Sequence, residues 1–354
     1  MEKPTIRLSA PARADRPQYK KQQPNKSGRP ATNRPPSNRP APNRPAQDRP
    51  APSRPPAPKP MAGTFPPKKF PPAKFQPPKP PARKPNDGGV TDWNGVANWY
   101  DELVGDNGSE FHREVVVPGT LRLLGAGKGD RVLDVACGQG VLCRALAAAG
   151  IETTGVDAAV DLIRAARDRQ AQAPADHAAI TYQVGDARDL SFVGEGKFAA
   201  AACVLAVQNI HPLGGLLAGV ARSLRPGGRF VLIMMHPCFR VPKSTGWGWD
   251  GRASVQFRRV DHYLLPRKIP ITTHPGSAPD QYTWSFHKPI GAYVKGLRNA
   301  GMLVDAMEEW PSHKKSTSGP RASAENVARE EIPMFMAIRA VRMAEAPPTV
   351  VTEE

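Results

Sequence analysis

The stretch MMHPCFR at residues 234–240 puts His236 two positions before Cys238, with a proline between them. A thiol beside an imidazole suits three chemistries: a nucleophile with its base, half of a metal site, or the lip of a pocket. A second histidine, His211, stands near Asn209 in QNIHP. Acidic residues close three apolar runs: Asp134 in VLDVACGQG, Asp157 in GVDAAVDLI and Asp186 in VGDARDL. Asp157 ends its run 23 residues after Asp134, where a carboxylate can accept hydrogen bonds from ribose hydroxyls. Which chemistry applies depends on the elements that hold these side chains.

Those elements alternate. Asp130 and Arg131 lead into an apolar strand ending near Val135, followed by a turn with Gly138 and Gly140 and an Ala/Leu-rich helix stopped at Gly150. Glycines in such a turn let the backbone approach a ligand. The segments ending at Asp157 and Asp186 read as strands two and three, KFAAAACVLAVQNIHP as four, and LRPGGRFVLIMMHP as a Pro-Gly-Gly turn and strand five. Helical stretches separate them, which predicts a Rossmann-like α/β fold with a mostly parallel sheet covered by helices on both faces. DWNGVANWYDELVG reads as a short helix, and GSEFHREVVVPGTLRLLGAG as a longer one interrupted at Pro118. Residues 302–310 and 332–342 complete seven strands as a hairpin with an antiparallel edge strand.

The ordered set VLDVACGQG, GVDAAVDLI, VGDARDL and LRPGGRFVLI resembles the motifs of class I S-adenosylmethionine-dependent methyltransferases. The likeness covers roughly residues 92–342; HPCFRVP, GWGWD and SFHKP are similar to a bacterial branch of that family. The resemblance implies S-adenosylmethionine as cofactor. Asp134, Ala136, Gly138 and Gly140 would line its methionine part, Asp157 would hold the ribose hydroxyls, and Asp186 with Ala187 would meet the adenine. Leu205 and Ala206 would pack near the sulfonium and adenine, and Tyr100 would cover the methionine end. A plain tight turn at Gly138 and Gly140, or a helix cap at Asp157, accounts for each motif singly but not for all together. An NAD-dependent dehydrogenase is disfavoured by the glycine spacing and the Asp186 motif.

Methyl transfer from a sulfonium is an in-line displacement that needs an aligned acceptor, excluded water and, for a hydroxyl or protonated amine, a base. It needs no cysteine intermediate. Ligands in an open α/β sheet sit beyond the carboxyl ends of the strands, so His211 and His236 are the candidate bases or orienting groups. Neither has partner carboxylates at a metal spacing, and no metal is expected. QNIHP departs from the Asn/Asp-Pro-Pro-Tyr-like motif of enzymes acting on base amines or protein glutamine. Residues 239–288 form an insertion after strand five that reads as a small β cap over the acceptor. Asn209, Arg240, Trp247 and Trp249 are its candidate acceptor contacts; the two tryptophans serve equally as a miniature core of the cap.

Charge divides the chain. Residues 1–90 hold 20 of the 49 Lys/Arg, 4 of the 32 Asp/Glu and 25 of the 41 prolines, so the formal charge of +17 belongs almost entirely to them. Arg29 to Arg54 recur before proline at intervals of five, and Phe65, Phe70 and Phe75 repeat the interval. Proline at that density predicts a disordered, partly polyproline II tail over 1–88. At ~3 residues per turn the arginines spread around the axis, which suits loose contact with RNA, an acidic protein or a lipid surface. Residues 89–343 are expected to form the catalytic domain and 344–354 a disordered end. The four cysteines lack a C-x-x-C pair, the start lacks a secretory h-region, and no apolar run is long enough to span a bilayer. A cytoplasmic enzyme methylating a small organic molecule is the expectation. The rivals are an RNA or ribosomal-protein methyltransferase recruited by the tail, and a tail-driven binding protein with a residual cofactor site.

Overall fold

The computed structural model describes residues 93, 97–174, 177–274 and 278–344. The readings of the 1–88 tail and of 345–354 lie outside the described residues. Eleven strands and seven α-helices are described: α1 Ala97–Val104, α2 Val117–Leu124, β1 Arg131–Val135, α3 Val141–Ala148, β2 Glu152–Asp157, α4 Val160–Gln170, β3 Ile180–Val184, β4 Phe198–Val204, α5 Leu213–Ser223, β5 Leu224–Met235, β6 Thr245–Asp250, β7 Val255–Val260, β8 Arg267–His274, β9 Ala278–His287, α6 Ile290–Asn299, β10 Met302–Trp310, α7 Ala322–Glu331 and β11 Phe335–Arg342.

Seven strands form one sheet in the order β10-β11-β5-β4-β1-β2-β3. β3, β2, β1, β4 and β5 run parallel, whereas β11 is antiparallel to both β5 and β10. β11 is therefore inside the sheet, and β10, paired antiparallel with it, is the edge strand of the expected terminal hairpin. The physical reason lies in burial: β11 is almost wholly buried, while β10 alternates exposed and half-buried residues between buried ends, as an edge strand does.

Alternation along the strands divides the core. Leu133, Cys203, Leu232 and Ile338 meet α5 and α6 residues such as Leu217 and Leu297 on one face. Val132, Ala202, Ile233 and Ala337 meet Leu124 of α2 and Leu146 of α3 on the other. Burying one such leucine contributes about 1.5–3 kcal/mol, so both faces supply stability.

Two local features have sequence causes. Pro118 sits in the first turn of α2, and the chain enters it through a π-helical turn at His112–Val116. A proline ring cannot fit over a preceding α-helical turn, and the wider turn makes room. In β5, Leu224 pairs with Phe198 and Arg229 with Ala200, so the Pro-Gly-Gly segment bulges from the ladder with Gly227 at φ 74°. The insertion after β5 forms two antiparallel hairpins, β6–β7 and β8–β9, each a separate two-stranded sheet. β9 packs on the turn that follows β4, and α7 packs on β7.

Candidate active site

The carboxyl ends of β1, β2 and β4 and the turn after β3 open onto one solvent-connected cavity, the place where ligands sit in an open α/β sheet. Tyr100, Ala136, Gly138, Asp157, Asp186, Ala187, Leu205, Ala206, Asn209 and His211 all line it, so ten of the sequence candidates converge there. Trp93, Ala158, Leu162, Arg188, Val204 and Ile210 complete the wall. The sequence reading missed these six. Only Arg188, two residues beyond Asp186, carried a usable signal as a fixed charge beside an acidic strand end.

The floor is the βα turn after β1. Ala136 at φ 57° and Gly138 at φ 54° both take left-handed backbone, as does Leu205 at φ 55° where β4 ends. A left-handed non-glycine residue carries strain, and two of them at adjacent strand ends turn the chain sharply under the cavity. Asp157 ties the turn to β2: Gly138 N–H donates to Oδ2 at 2.8 Å and Ala159 N–H to Oδ1 at 2.9 Å. Asp157 is therefore not the N-cap of α4, which is Ala159; it braces the chain before that helix and still faces the cavity, since each oxygen keeps a lone pair. Burial raises the Asp157 pKa against those backbone bonds.

Asp134 lies beneath, in a smaller adjoining recess with Tyr100, Cys137 and Val204. It is 2% exposed. Cys143 donates its thiol to Oδ2 at 3.2 Å, a weak partner for a buried carboxylate. Burial pushes its pKa from 3.8 to about 7, with the Asp157 charge adding to the rise and the Cys143 bond opposing it. A site that buries a carboxylate so poorly matched suits a cationic ligand. Tyr100 roofs this end, edge-on to Trp93 with centroids 5.5 Å apart, and burial pushes its hydroxyl up to about 12. Gly140 takes no part in the cavity wall; a Cβ there would stand 2.2 Å from the Tyr182 hydroxyl, so its small size lets α3 pack on β3.

At the other end Asp186 is held by Arg188, whose Nε and Nη2 reach its carboxylate at 2.9 and 2.6 Å. That fork keeps the carboxylate ionised and its pKa low. Ala187, Leu205, Ala206, Leu162 and Ile210 give apolar walls suited to a planar ring. His211 stands on the rim with its ring stacked on Phe286 of β9, centroids 4.9 Å apart. Burial, then Lys288, Lys268 and Arg188, hold its pKa below the usual 6.5. The imidazole is therefore neutral near pH 7 and ready to take a proton.

His236 does not join the cavity. It is 1% exposed, Nε2 meets Glu309 of β10 at 2.7 Å, and Nδ1 accepts the Cys238 N–H at 3.2 Å. Both nitrogens are used inside the fold, and of the two candidate histidines His211 is the one that lines the cavity. The Cys238 thiol is pushed up by burial, so it is a poor nucleophile. Arg240, Trp247 and Trp249 also stand outside the cavity wall. Trp247 is held between Arg240 and Arg258, 5.1 and 5.0 Å from its ring, and Arg321 covers Trp249 at 4.6 Å. Arg240 also donates to the carbonyls of Ile332 and Pro333, so it fastens the insertion to the start of β11. Among the described residues no cluster of three or more His, Cys, Asp or Glu could hold a metal ion, and no helix is long and apolar enough to cross a membrane.

Comparison with known proteins places this architecture. A family model described as a methyltransferase domain matches residues 132–228, the span from β1 to the β5 bulge. A ubiquinone biosynthesis O-methyltransferase of Xanthomonas oryzae pv. oryzae is 32% identical over 195 residues, covering 54% of this chain and 72% of that protein. The crystal structure of an S-adenosylmethionine-dependent methyltransferase from Mesorhizobium loti shares the fold at a TM-score of 0.51 and 24% identity, covering 67% of this chain and all of the other. A putative S-adenosylmethionine-dependent methyltransferase from Listeria monocytogenes does so at 0.51 and 19%, covering 64% and 96%. With this sheet order and this sequence kinship, the chain belongs to the class I S-adenosylmethionine-dependent methyltransferases and is an enzyme that uses that cofactor.

Proposed function

We propose that this enzyme methylates a hydroxyl group of a small organic acceptor held between the cofactor cavity and the β8–β9 hairpin. The observation that carries the reading is the His211 imidazole on the cavity rim, stacked on Phe286, where burial and nearby cations favour its neutral form. The related O-methyltransferases support an oxygen acceptor. When bound, S-adenosylmethionine supplies a methyl group on an activated sulfonium leaving group. Asp134 would face the cofactor's ammonium, Asp157 its ribose hydroxyls, and Ala187, Leu205 and Ala206 its adenine. Gly138 gives the close backbone approach, and Tyr100 with Trp93 shields the methionine end from water. His211 would accept the acceptor's proton as the oxygen–carbon bond forms and the carbon–sulfur pair returns to sulfur. Asn209, beside it on the same turn, would orient the acceptor.

Residues 89–343 are proposed as the catalytic unit, with 239–288 as a cap whose hairpin β8–β9 closes the acceptor end. Incubation with methyl-labelled cofactor and a fractionated cell extract tests the reading. Label should enter small organic molecules as a base-stable ether; label confined to RNA or protein would displace it.

A further inference from the structure

Close to His211, behind the cavity rim, the fold leaves a cation unmatched. Lys288 follows β9, and its Nζ is fully enclosed without any hydrogen-bond partner. Its nearest described aromatic contact is the Phe286 ring, 5.8 Å from Nζ to centroid. That same ring stacks on His211, which lines the cavity. On the hairpin, Lys268 Nζ lies 4.4 Å from the Trp284 ring and 5.9 Å from that of Phe286. Arg188 closes the set from the main sheet, donating to the His211 carbonyl at 3.3 Å while it holds Asp186. Three cationic side chains thus surround one histidine, and Arg188 among them is held by Asp186.

A buried ammonium without an acceptor is costly, and folds ordinarily pair it or leave it in water. Here burial alone brings the Lys288 pKa down to about 8, so the group remains mostly charged at neutral pH. No carboxylate contributes to it. An ion pair belonging to the fold would show one.

We infer that the acceptor carries an anionic group, a carboxylate or a phosphate, which Lys288 binds at the His211 end of the cavity. The inference rests on the proposed acceptor site. The anion completes the coordination of Nζ, and Lys268, on the exposed side of Phe286, draws it in. With the anion on Lys288, the aromatic body of the acceptor lies along His211 and its hydroxyl falls within reach of the imidazole. The same positive field favours the oxyanion that forms as the proton leaves. A neutral acceptor would leave Nζ buried and unpaired, so the site discriminates by charge.

Calorimetric titration of the full chain saturated with S-adenosylhomocysteine tests this, using benzoate, uncharged methyl benzoate and phenyl phosphate as probes. At least one anionic probe should bind about tenfold or more tightly than the ester, and the better of the two identifies carboxylate or phosphate. Lys288→Met should erase the preference and Lys288→Arg keep most of it, both retaining native S-adenosylhomocysteine affinity. Lys288→Gln replaces the methionine variant if that one no longer binds S-adenosylhomocysteine. Equal binding of all three probes by the native enzyme, or a preference that survives in Lys288→Met, overturns charge recognition and leaves the acceptor site standing. Binding of none of them, with S-adenosylhomocysteine affinity intact, overturns both.

Discussion

Asp134→Asn tests whether the buried carboxylate of β1 is kept for a cation. Its folded pKa is about 7 against an ordinary 3.8. At ~1.4 kcal/mol per pH unit, the charged form costs on the order of 4 kcal/mol more in the fold than in the open chain. Local relaxation and entering water reduce that figure, so asparagine should stabilise the ligand-free protein by about 1–3 kcal/mol at pH 8. Between the ordinary value and about 7 the folded chain holds a proton on Asp134 that the unfolded chain has released. Its contribution to stability therefore falls as pH rises through that window and levels off above it. The gap in thermal midpoint between variant and native protein should widen from about pH 5 to about pH 8. Cofactor binding should run the other way. If Asp134 faces the ammonium of S-adenosylhomocysteine as proposed, binding requires the ionised carboxylate, so native affinity should fall about tenfold per pH unit below about 7. The variant should bind about 10–100-fold more weakly at neutral pH and lose that slope. Scanning fluorimetry and titration calorimetry across this range read both effects. A variant that is less stable than the native protein at pH 8, or that binds S-adenosylhomocysteine equally well, refutes the reasoning.

Three further outcomes are expected. Asp157→Ala removes the acceptor of the Gly138 and Ala159 amides and the one proposed for the ribose hydroxyls; S-adenosylhomocysteine should bind about 100-fold or more weakly by calorimetry. The His211 imidazole should titrate below 6.5 by NMR, because burial and then Lys288, Lys268 and Arg188 oppose its protonation; Lys288→Met should raise the midpoint, and an unchanged midpoint would separate the two groups. Ala136→Gly relieves a left-handed alanine at φ 57°: a cost of ~1–2 kcal/mol is removed and ~0.5–1 kcal/mol of backbone entropy is added. The melting temperature should rise by about 1–4 °C, whereas Ala147→Gly in α3 should lose about 1 kcal/mol.

The cofactor end was readable in the sequence because it is built locally. Asp134, Ala136 and Gly138 belong to one strand and the turn that leaves it, Asp157 closes β2 and Asp186 stands in the turn after β3. Parallel strands in register bring such ends together without any other information. The alternation of strand and helix fixes that register, so a motif's place in the chain is also its place around the cavity. Gly140 escaped this logic. Its spacing looks like ligand approach, yet the Tyr182 hydroxyl of β3 occupies the room a side chain would need.

The acceptor end depends on pairings between distant segments, which motif spacing does not encode. His211 and His236 follow adjacent parallel strands and look equivalent in the chain. What separates them is β11, which enters antiparallel beside β5 and brings β10 with it, so Glu309 reaches His236 and seals it. The tryptophans of GWGWD are claimed by Arg240, Arg258 and Arg321 through the β6–β7 hairpin and the neighbouring helix α7. Lys288 becomes buried because β8 pairs with β9 and Phe286 turns onto His211. The stacking of Phe286 on His211 joins the cap to the turn after β4, whereas the Asp134, Asp157 and Gly138 bonds tie β1 and β2 to the turns that follow them and to α3. The two ends of the cavity are therefore mechanically separable. Changes at Lys288 or in the hairpin should move acceptor choice while the cofactor end keeps its geometry, and changes at Asp157 should do the reverse.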